Sequence, residues 1–595
     1  MSKVEFKKRK VFIDGAAEQI ISGAVHYFRL PRALWRDRLE RAKSMGCNAI
    51  ESYIFWNLTE PEQGKFNFDG NNDFEAFFKI VHELGMYAVV RPGPYTCSEH
   101  DNGGLPIWLG NIPGMQIRCS NAPYLKAVRD YWSVLVPKIA ALQYDNGGPV
   151  IAMQIENEYG GYGHDLEYIR TLRDMAREFG ITVPLFTADP AHYAADSLIE
   201  GVHLALNFGL DAEKNLEQGR LLRPEDPAFV GEFWDSWFDH WGDDGHVQRD
   251  PEEYASQLDA ILKAGGNANF YMVCGGTQFG LRCGANQKPG GKYFPDAASY
   301  DFDAPVSESG EITPKYHALK KVIKKYRPQT CDDTPADPPK KAYGKIKFTA
   351  TAKLFDNLDA LPAPVVSKLP LTFENLGQPY GYVLYRTIVS GPRKTAVSVD
   401  PVRDRASVFL NGKPAGTLLR NDECCSTQEL FFDRKENTLD ILVENLGRVN
   451  YGPQLGKDFK GITGCLRFGE QVRFDFQHWQ LPMEKVENVD FKEFAPQENT
   501  PAFHLAELDI TGTPVDTFVK IPGVHGCIFI NGFNLGRYWN IGPQQTLYLP
   551  GCLLKEGKNE FVIFETDCLN SEYLEFADSQ KYSRTIKFAD MIHLI

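Results

Sequence analysis

The sequence predicts a multidomain protein, with a (β/α)8 TIM barrel followed by two all-β domains of the jelly-roll or β-sandwich type. Its 595 residues are too many for a single hydrophobic core. In the first half, short apolar runs alternate with helical patterns, as in a parallel barrel. Beyond residue 344, alternating strand patterns broken by Gly, Asn and Pro turns prevail, as in all-β domains.

Eight apolar runs in the first half are the predicted barrel strands, since a strand covered on both faces is apolar throughout. They comprise residues 23–27, 49–56, 87–91, 150–156, 185–188, 203–208, 228–233 and 269–274. Helical patterns at 33–45, 73–84, 124–142, 166–179 and 252–264 lie between them, and the pattern is least regular after the fifth and sixth strands. A basic helix at 314–326 closes the barrel domain, which is predicted at residues 1–327.

A segment rich in Pro and Asp, within residues 328–344, is the predicted linker to the β-rich part. That part is divided near residues 485–500 into a first β-sandwich, 345–485, and a second, 486–595, although residues 345–380 fit either one. A repeat supports two domains, because VFLNG at 408–412 matches IFING at 528–532. Each Asn-Gly pair lies between apolar runs and predicts a hairpin turn, in which both central residues take positive φ.

Composition and charge exclude several classes of protein. The net charge of −14 repels phosphate backbones, so we expect no nucleic-acid partner. No apolar run approaches the roughly 18 residues of a membrane helix, and no apolar segment of a secretory signal follows the basic N-terminus. Twelve cysteines without a CxxC pair predict free thiols, not a disulfide scaffold or a zinc site. We expect a cytoplasmic protein that needs no membrane, metal or cofactor; a mature form that has lost its signal is the alternative.

Two acidic motifs indicate the candidate site: QIENEYG at 154–160 and VGEFW at 230–234. They place Glu158 just past the fourth strand and Glu232 at the end of the seventh, so both carboxylates are predicted at the C-terminal mouth of the barrel. Two opposed carboxylates are the groups that hydrolyse glycosidic bonds, one as the nucleophile and one as the acid/base. In isolation, Glu-Asn-Glu is typical of a surface loop, but the strand end and the matching Glu232 favour catalysis.

Neighbouring residues receive supporting roles. Asn157 is predicted to bind the sugar 2-OH, and Glu156 to act as a substrate-binding or supporting acid that raises the pKa of its neighbour. In the stiff loop after the third strand, Glu99 is aimed at sugar hydroxyls, and Arg91 pairs with a barrel acid and steadies the ionised nucleophile. Cys97 is interpreted as a thiol lining the site, since no histidine lies nearby in sequence to activate it.

Three tryptophans follow Glu232 at helical spacing, namely Trp234, Trp237 and Trp241. Such a stripe is usually the buried face of a helix. Directly after a catalytic strand, however, Trp234 and Trp237 favour a rim of rings on which the aglycone sugar stacks.

Five motifs in order between residues 23 and 305 resemble the β-galactosidases of glycoside hydrolase family 35; they are RPGPYTCSE with GGLPIWL, QIENEYG, VGEFWDSWFDHWG, YMVCGGTQFG and SYDFDAP. The β-rich remainder is similar to the accessory domains of that family, which makes the second one a galactose-binding-like jelly roll. The resemblance implies a retaining exo-β-galactosidase, with Glu158 as acid/base and Glu232 as nucleophile. It also implies galactose contacts from Tyr53, Ser98, Glu99, Asn157 and Tyr271. The predicted substrate-binding set further includes Cys97, Trp234, Trp237, Tyr300 and Phe302.

The sequence departs from the family pattern at two of these positions. Phe302 replaces a common tyrosine, so one hydroxyl contact is missing and the ring can only pack; Trp234 stands where another tyrosine is common. Bacterial members of the intracellular type are similar throughout and tend to prefer β-1,3-linked galactose, as in Gal-β-1,3-GlcNAc. Tyr451 of the first β-domain would join their aglycone rings.

Three hypotheses of function therefore stand. The first is hydrolysis of terminal β-galactosyl residues; the second is another exo-β-glycosidase on the same barrel, such as a β-glucosaminidase. The third is a non-catalytic carbohydrate-binding protein, against which the two glutamates argue. A galactoside is the expected partner, and a homo-oligomer such as a dimer is compatible with the β-domains.

Overall fold

The computed structural model describes residues 3–288, 290–486, 488–495 and 499–591. Eight parallel strands close into a barrel in sequence order, as predicted, because each run is buried on both faces. They are β1 (Ile21–Ala24), β2 (Ala49–Tyr53), β3 (Tyr87–Arg91), β4 (Val150–Gln154), β5 (Leu185–Asp189), β6 (His203–Phe208), β7 (Phe229–Trp234) and β8 (Asn267–Tyr271). The predicted first, second, fourth and eighth strands run two or three residues beyond the observed ends, where mostly apolar mouth residues continue each run.

In the described part of the barrel domain, seven helices of ten or more residues surround the barrel, and one single-turn helix, Trp56–Thr59, follows β2. The seven longer helices are α1 (Trp35–Met45), α2 (Phe74–Glu83), α3 (Ala122–Ala141), α4 (Leu166–Glu178), α5 (Ala212–Leu222), α6 (Pro251–Lys263) and α7 (Pro314–Tyr326). Side-chain caps explain several of the starts: Asp73, Asn121, Asp165 and Asp250 accept hydrogen bonds from the first helical turn. After β5 there is only one 3-10 turn, Ala194–Ser197, so the faint helical pattern there corresponds to no helix.

A small N-terminal sheet covers the opposite end of the barrel from the mouth. It consists of Val4–Lys7, Lys10–Ile13 and Ala16–Glu18. Its apolar side chains pack against interior barrel residues, including Phe6 against the cluster that holds Ile151 and Phe229. Of the described residues, no helix is both long and apolar enough to cross a bilayer.

The first β-domain is a sandwich of two antiparallel sheets around its own apolar core. One sheet contains, in spatial order, Val365–Ser367, Phe476–Leu481, Tyr382–Ser390, Glu436–Glu444, Arg405–Leu410 and Lys413–Leu419; the other contains Ser398–Arg403, Gly461–Phe468 and Gln471–Val472. The predicted turn at Asn411-Gly412 is confirmed, with φ of 51° and 76°.

The second β-domain repeats that hairpin, with φ of 50° at Asn531 and 84° at Gly532. Its strands are, in spatial order, Phe533–Trp539, His525–Ile530, Gly557–Glu565, Ala502–Ile510, Gly344–Lys353, Tyr573–Ala577, Thr517–Lys520 and Leu547–Leu549; a short ninth strand, Lys492–Glu493, also pairs with Gly344–Lys353. Gly344–Lys353 pairs with Tyr573–Ala577 through its first half and with Ala502–Ile510 through its second.

This pairing corrects the predicted range 345–485 of the first β-domain. Its first residues belong to a sheet of the second domain, since Gly344–Lys353 pairs with Ala502–Ile510, Tyr573–Ala577 and the short strand Lys492–Glu493, all of which lie after residue 485. The sequence left this open, because a strand pattern does not name its partner. The boundary near residue 485 and the limits 1–327 and 328–344 stay predictions.

Candidate active site

The two acidic side chains indicated by the sequence lie together at the barrel mouth. Glu158 follows β4, and its amide donates a hydrogen bond to the Ala188 carbonyl in β5 at 3.0 Å. Glu232 lies within β7. Only 8% and 7% of their surfaces are exposed. The mouth therefore holds two nearly buried carboxyls, whose ionisation depends on the groups around each one.

Glu232 is surrounded by hydrogen-bond donors. Its Oε1 accepts from Arg91 Nη2 at 2.6 Å and from the Tyr53 hydroxyl at 2.8 Å, and its Oε2 accepts from Trp234 Nε1 at 3.0 Å. Arg91 is buried at the end of β3, so the attraction is weakly screened. One cation and two further donors favour the ionised carboxylate, and the predicted pairing of Arg91 with a barrel acid is present.

Glu158 has the opposite environment. Burial, followed by the charge of Glu232, raises the pKa of Glu158 to about 8. Asn207, in β6, donates its side-chain amide to Glu158 Oε1 at 2.9 Å and partly offsets this rise. A carboxyl with a raised pKa keeps its proton near neutral pH and can donate it to a leaving group.

Asn157 is fixed by its oxygen. Oδ1 accepts hydrogen bonds from Arg91 at 2.7 Å and Gln154 at 2.9 Å, and the Tyr53 hydroxyl, which donates to Glu232, lies 3.2 Å away. Within the part of the chain that the structure describes, no protein acceptor faces its Nδ2. The amide nitrogen is therefore the atom left to donate to a ligand, as the predicted contact with a sugar hydroxyl requires.

Three consecutive residues after β3 adopt a left-handed backbone. Cys97, Ser98 and Glu99 have φ of 60°, 58° and 49°. This conformation costs roughly 1–2 kcal/mol for each non-glycine residue, and such strain gathers at functional sites. The Ser98 hydroxyl lies 3.0 Å from both Arg29 Nη1 and the Tyr271 hydroxyl, so polar contacts hold the turn against the mouth.

Glu99 and two tyrosines form the other polar wall. The Tyr300 hydroxyl donates to Glu99 Oε2 at 2.5 Å and lies 3.1 Å from the Tyr271 hydroxyl. Burial raises the pKa of Glu99 to about 7. The ring of Phe302 packs 5.2 Å from that of Tyr300 and 5.6 Å from that of Tyr271, so it adds apolar contact only, as expected for a phenylalanine.

Cys97 is not an activated nucleophile. Burial raises the pKa of its thiol well above the usual value, and the carboxylate of Glu99 raises it further. A neutral thiol is a poor nucleophile, and this agrees with the interpretation of Cys97 as a residue that lines the site.

The aromatic rim consists of Trp234 and Trp237, whose half-buried rings meet edge to face with centroids 5.4 Å apart. Trp241 does not join them. It is buried in the apolar core of the second β-domain, and no helix spans the three tryptophans, because Trp234 ends β7 and irregular chain follows.

Glu156 differs from its expected role. Arg118 binds it through two hydrogen bonds of 2.9 and 2.7 Å, and the Tyr168 hydroxyl donates a third at 3.0 Å. Arg118 also donates to the Asn157 carbonyl at 2.7 Å. Glu156 is thus neutralised by a buried cation and anchors the backbone of the Asn157–Glu158 segment, and it does not act as a second acid towards Glu158.

The first β-domain sends a loop to the barrel mouth, residues 445–451, here called the clamp loop. Arg448 pairs with Asp101 of the barrel at 2.9 Å and with Glu374 of its own domain at 2.6 Å. The Asn450 carbonyl accepts from the Tyr95 hydroxyl at 2.6 Å, and its side-chain oxygen lies 3.8 Å from Cys97 Sγ. These contacts place Tyr451 at the mouth. Its hydroxyl packs against Gly161 so closely that a Cβ added to this glycine would lie 3.0 Å from it.

The geometry supplies a carboxyl bound by Arg91 and a second carboxyl with a raised pKa at a single mouth, with amide, hydroxyl and ring contacts around them. No group of His, Cys, Asp and Glu side chains in the described ranges is arranged to hold a metal ion. A barrel of this kind with two such carboxyls at its mouth defines a glycoside hydrolase.

Comparison with known proteins gives the family. The model of "Glycosyl hydrolases family 35" matches residues 10–326, "Beta-galactosidase, first all-beta domain" matches 370–482, and "Beta-galactosidase, galactose-binding domain" matches 501–559. The chain belongs to glycosyl hydrolases family 35. The resemblance inferred from the motifs is thereby confirmed for the family, whereas the bacterial, intracellular type stays a prediction.

Several curated relatives are similar along most of their length. A β-galactosidase of Xanthomonas manihotis is 38% identical over 90% of this chain and 89% of its own. β-Galactosidases of Felis catus and Homo sapiens are 39% and 37% identical, each over 95% of this chain and over 88% and 87% of their own. Among solved structures, GH5_18 from Streptomyces cattleya in complex with GlcNAc covers 55% of this chain and 83% of its own, at 14% identity and a TM-score of 0.39, and this likeness carries no argument.

Several residues of the site were missed from the sequence. Asn207 carries a signal, since it is a polar residue inside an apolar strand pattern, close to the strand end. Arg29 and Arg118 carry none, because they lie in irregular segments and reach Ser98 and Glu156 only through the fold.

Proposed function

We propose that this chain is a retaining exo-β-galactosidase, which removes terminal non-reducing β-D-galactosyl residues. One observation carries the proposal: Glu232 is held as an anion by Arg91, while burial and the neighbouring carboxylate keep the proton on Glu158. The curated relatives named β-galactosidase support galactose as the sugar.

The mechanism has two steps. Glu232 attacks the anomeric carbon and forms a glycosyl-enzyme bond, while Glu158 gives its proton to the departing glycosidic oxygen. Glu158, now an anion, takes a proton from water, the water oxygen bonds to the anomeric carbon, and Glu232 leaves. Asn157 Nδ2 donates to the sugar 2-OH, a contact that strengthens in the transition state.

The same proposal includes a preference for β-1,3 linkages, such as Gal-β-1,3-GlcNAc. Its support is the rim of Trp234, Trp237 and Tyr451, which offers ring faces to the sugar that leaves. Hydrolysis of galactosyl disaccharides that differ only in linkage tests it; equal kcat/KM for the β-1,3 and β-1,4 isomers contradicts the preference.

The activity is tested with nitrophenyl β-glycosides and proton NMR of the released sugar. We expect the galactoside to be hydrolysed fastest, with β-galactose as the first product. A faster glucosaminide, or α-galactose as the first product, contradicts the substrate or the retaining mechanism, respectively.

Substitutions assign the roles. Glu232→Gln removes the nucleophile and is expected to abolish turnover, whereas Glu158→Gln lowers kcat/KM by roughly 10²–10⁴-fold, the usual worth of general acid catalysis, and removes the fall in rate above about pH 8. Glu178→Gln, on the exposed end of α4, is the matched control. If Glu232→Gln keeps wild-type turnover, the assignment is wrong.

We further propose a reducing, cytoplasmic location, for which the twelve free cysteines are the support. Reaction of the native enzyme with a thiol reagent before and after reduction tests it, since disulfides in the isolated native protein would contradict it.

A further inference from the structure

A second concave surface lies beside the site and has no role in the chemistry described so far. It is a groove of about 1200 Å³ between the barrel and the first β-domain. One wall is the loop after β3, residues 107–119; another is the segment after β4, residues 159–165; the third is residues 455–459, just beyond the clamp loop. The volume exceeds the roughly 300–1,000 Å³ of a small-molecule pocket, so the groove suits an extended ligand.

The charges of the walls indicate a neutral ligand. The two buried guanidinium groups that line the groove are already neutralised, Arg118 by Glu156 and Arg448 by Asp101 and Glu374. Asp458 is likewise paired, with Lys460 at 2.9 Å and Arg420 at 2.7 Å. Among the described lining residues, both buried guanidinium groups have carboxylate partners, and the exposed Lys457 donates to the Pro453 carbonyl, so the buried electrostatics do not favour an anion.

The remaining lining combines rings with hydrogen-bonding groups. The half-buried rings of Tyr162 and Phe459 lie in it, together with the side chains of Asn111, Gln116 and Asp165. Ring faces alternating with amide and carboxylate groups match a sugar, which has an apolar face and a belt of hydroxyls.

The groove lies against the segment that follows Glu158. Tyr159 follows Glu158 directly and lines the groove. The Tyr451 hydroxyl packs on Gly161, which belongs to the segment after β4. Tyr451 is also close to Glu158: burial is the largest cause that raises the pKa of the Tyr451 phenol, and the charge of Glu158 is the second. Residues 455–459 follow Tyr451 closely in the chain and line the groove, so the groove lies beside the aglycone rim.

We propose that this groove binds the sugars beyond the aglycone residue, and that the substrates are galactose-capped neutral oligosaccharides longer than a disaccharide. The inference rests on the proposed β-galactosidase activity. Binding energy from the distal sugars would raise kcat/KM without any change at the two carboxyls.

The test compares di-, tri- and tetrasaccharides with the same terminal β-galactosyl linkage. For the wild type, we expect kcat/KM to rise by about tenfold from disaccharide to tetrasaccharide, which corresponds to ~1.4 kcal/mol. Phe459→Ala removes a stacking ring, and Gln116→Trp fills the groove from an exposed position. Each variant is expected to bring the ratio of the two kcat/KM values to about 2 or below.

Phe431→Ala is the matched control, since Phe431 is an exposed phenylalanine of the same domain, 61% accessible and outside the groove, and its variant keeps the wild-type ratio. A wild-type ratio near 1, or a ratio that survives both groove variants, overturns the groove proposal while leaving galactose release intact. Absence of galactose release from every substrate, nitrophenyl galactoside included, overturns the proposed function and the groove proposal together.

Discussion

Two glutamates at one barrel mouth have different surroundings. Glu232 has a guanidinium, a phenol and an indole N–H within 3.0 Å, whereas the one side-chain donor to Glu158 in the described residues is an amide. Buried charge without a cation is costly, so the proton stays on Glu158. The division into anion and acid thus follows from neighbours on β2, β3 and β6.

Asn207 tunes the acid, and its removal should show this. Its hydrogen bond favours the anion of Glu158, so Asn207→Ala is expected to raise the pKa of Glu158 and to move the basic limb of the kcat/KM profile to higher pH. Activity at pH 7 should fall by roughly tenfold as the acid loses its orientation. A pH–rate profile checks both effects, and an unmoved or lowered limb contradicts the assignment.

Glu156 is a structural anion, and stability measures this. In Glu156→Gln the buried Arg118 charge loses its carboxylate, which typically costs about 3–5 kcal/mol. Glu178→Gln breaks the exposed pair with Arg129 and should cost no more than ~1 kcal/mol. Urea unfolding of both variants gives the comparison, and equal losses would contradict the anchoring role.

At the residue scale, the sequence predicted the site residues that lie at the ends of barrel strands. Glu158, Glu232 and Arg91 sit where apolar runs stop, and parallel strands deliver such residues to one face. Partners such as Arg118 come from irregular loops, where no periodicity links them to their contacts.

Among the elements, the left-handed turn of Cys97–Glu99 depends on a loop from another domain. The positive φ angles of the turn are unfavourable for residues other than glycine. Asn450 of the clamp loop supports the turn through its contacts with Tyr95 and Cys97. Asn450 is held in turn by Asp296 at 3.0 Å. The galactose side of the site is therefore assembled jointly by the barrel and the first β-domain.

This predicts different effects for two adjacent residues. Asn450→Ala should weaken inhibition by free galactose and raise KM by about tenfold, ~1.4 kcal/mol, since the turn that carries Ser98 and Glu99 relaxes. Tyr451→Ala should raise KM for disaccharides alone. Asn421→Ala, which breaks a contact between the same domains at Tyr293, is the control. If galactose inhibition of Asn450→Ala equals that of the control, the positioning role is refuted.

The elements themselves were largely predictable, because burial on both faces makes each barrel strand apolar. The absence of a helix after β5 was not predictable, since it depends on the chain length between two strands. The partners of Gly344–Lys353 were not predictable either, since they depend on tertiary pairing. The Asn-Gly hairpins were predictable, because their turn needs positive φ at both central residues and therefore prefers Asn-Gly.

For the whole molecule, buried carboxyls make stability depend on pH. Burial raises the pKa of Glu308 to about 8, where Thr277 and Ser299 bind it, and that of Asp189 to about 7. Such a group binds its proton more tightly in the folded state than in the unfolded one. Its stabilising contribution is therefore complete below the usual carboxyl pKa and is lost as pH rises through the folded pKa.

We accordingly expect the apparent Tm to fall between pH 6 and pH 9. Glu308→Gln cannot ionise, so the gap in Tm between this variant and the wild type should widen in favour of the variant as pH rises. Glu62→Gln, at an exposed position, should follow the wild type throughout. Calorimetry at both pH values measures this, and a gap that narrows contradicts it.

The pairing of Gly344–Lys353 has a consequence for synthesis on the ribosome. The strand emerges more than 150 residues before the first of its two main partners, Ala502–Ile510, so the first β-domain is an insertion within the last one. A nascent or truncated chain that stops near residue 500 lacks both main partners of this ten-residue strand and leaves most of its amides unpaired, which makes it a template for aggregation. Shortened versions of the protein for expression should therefore contain both Gly344–Lys353 and Ala502–Ile510, or neither of them.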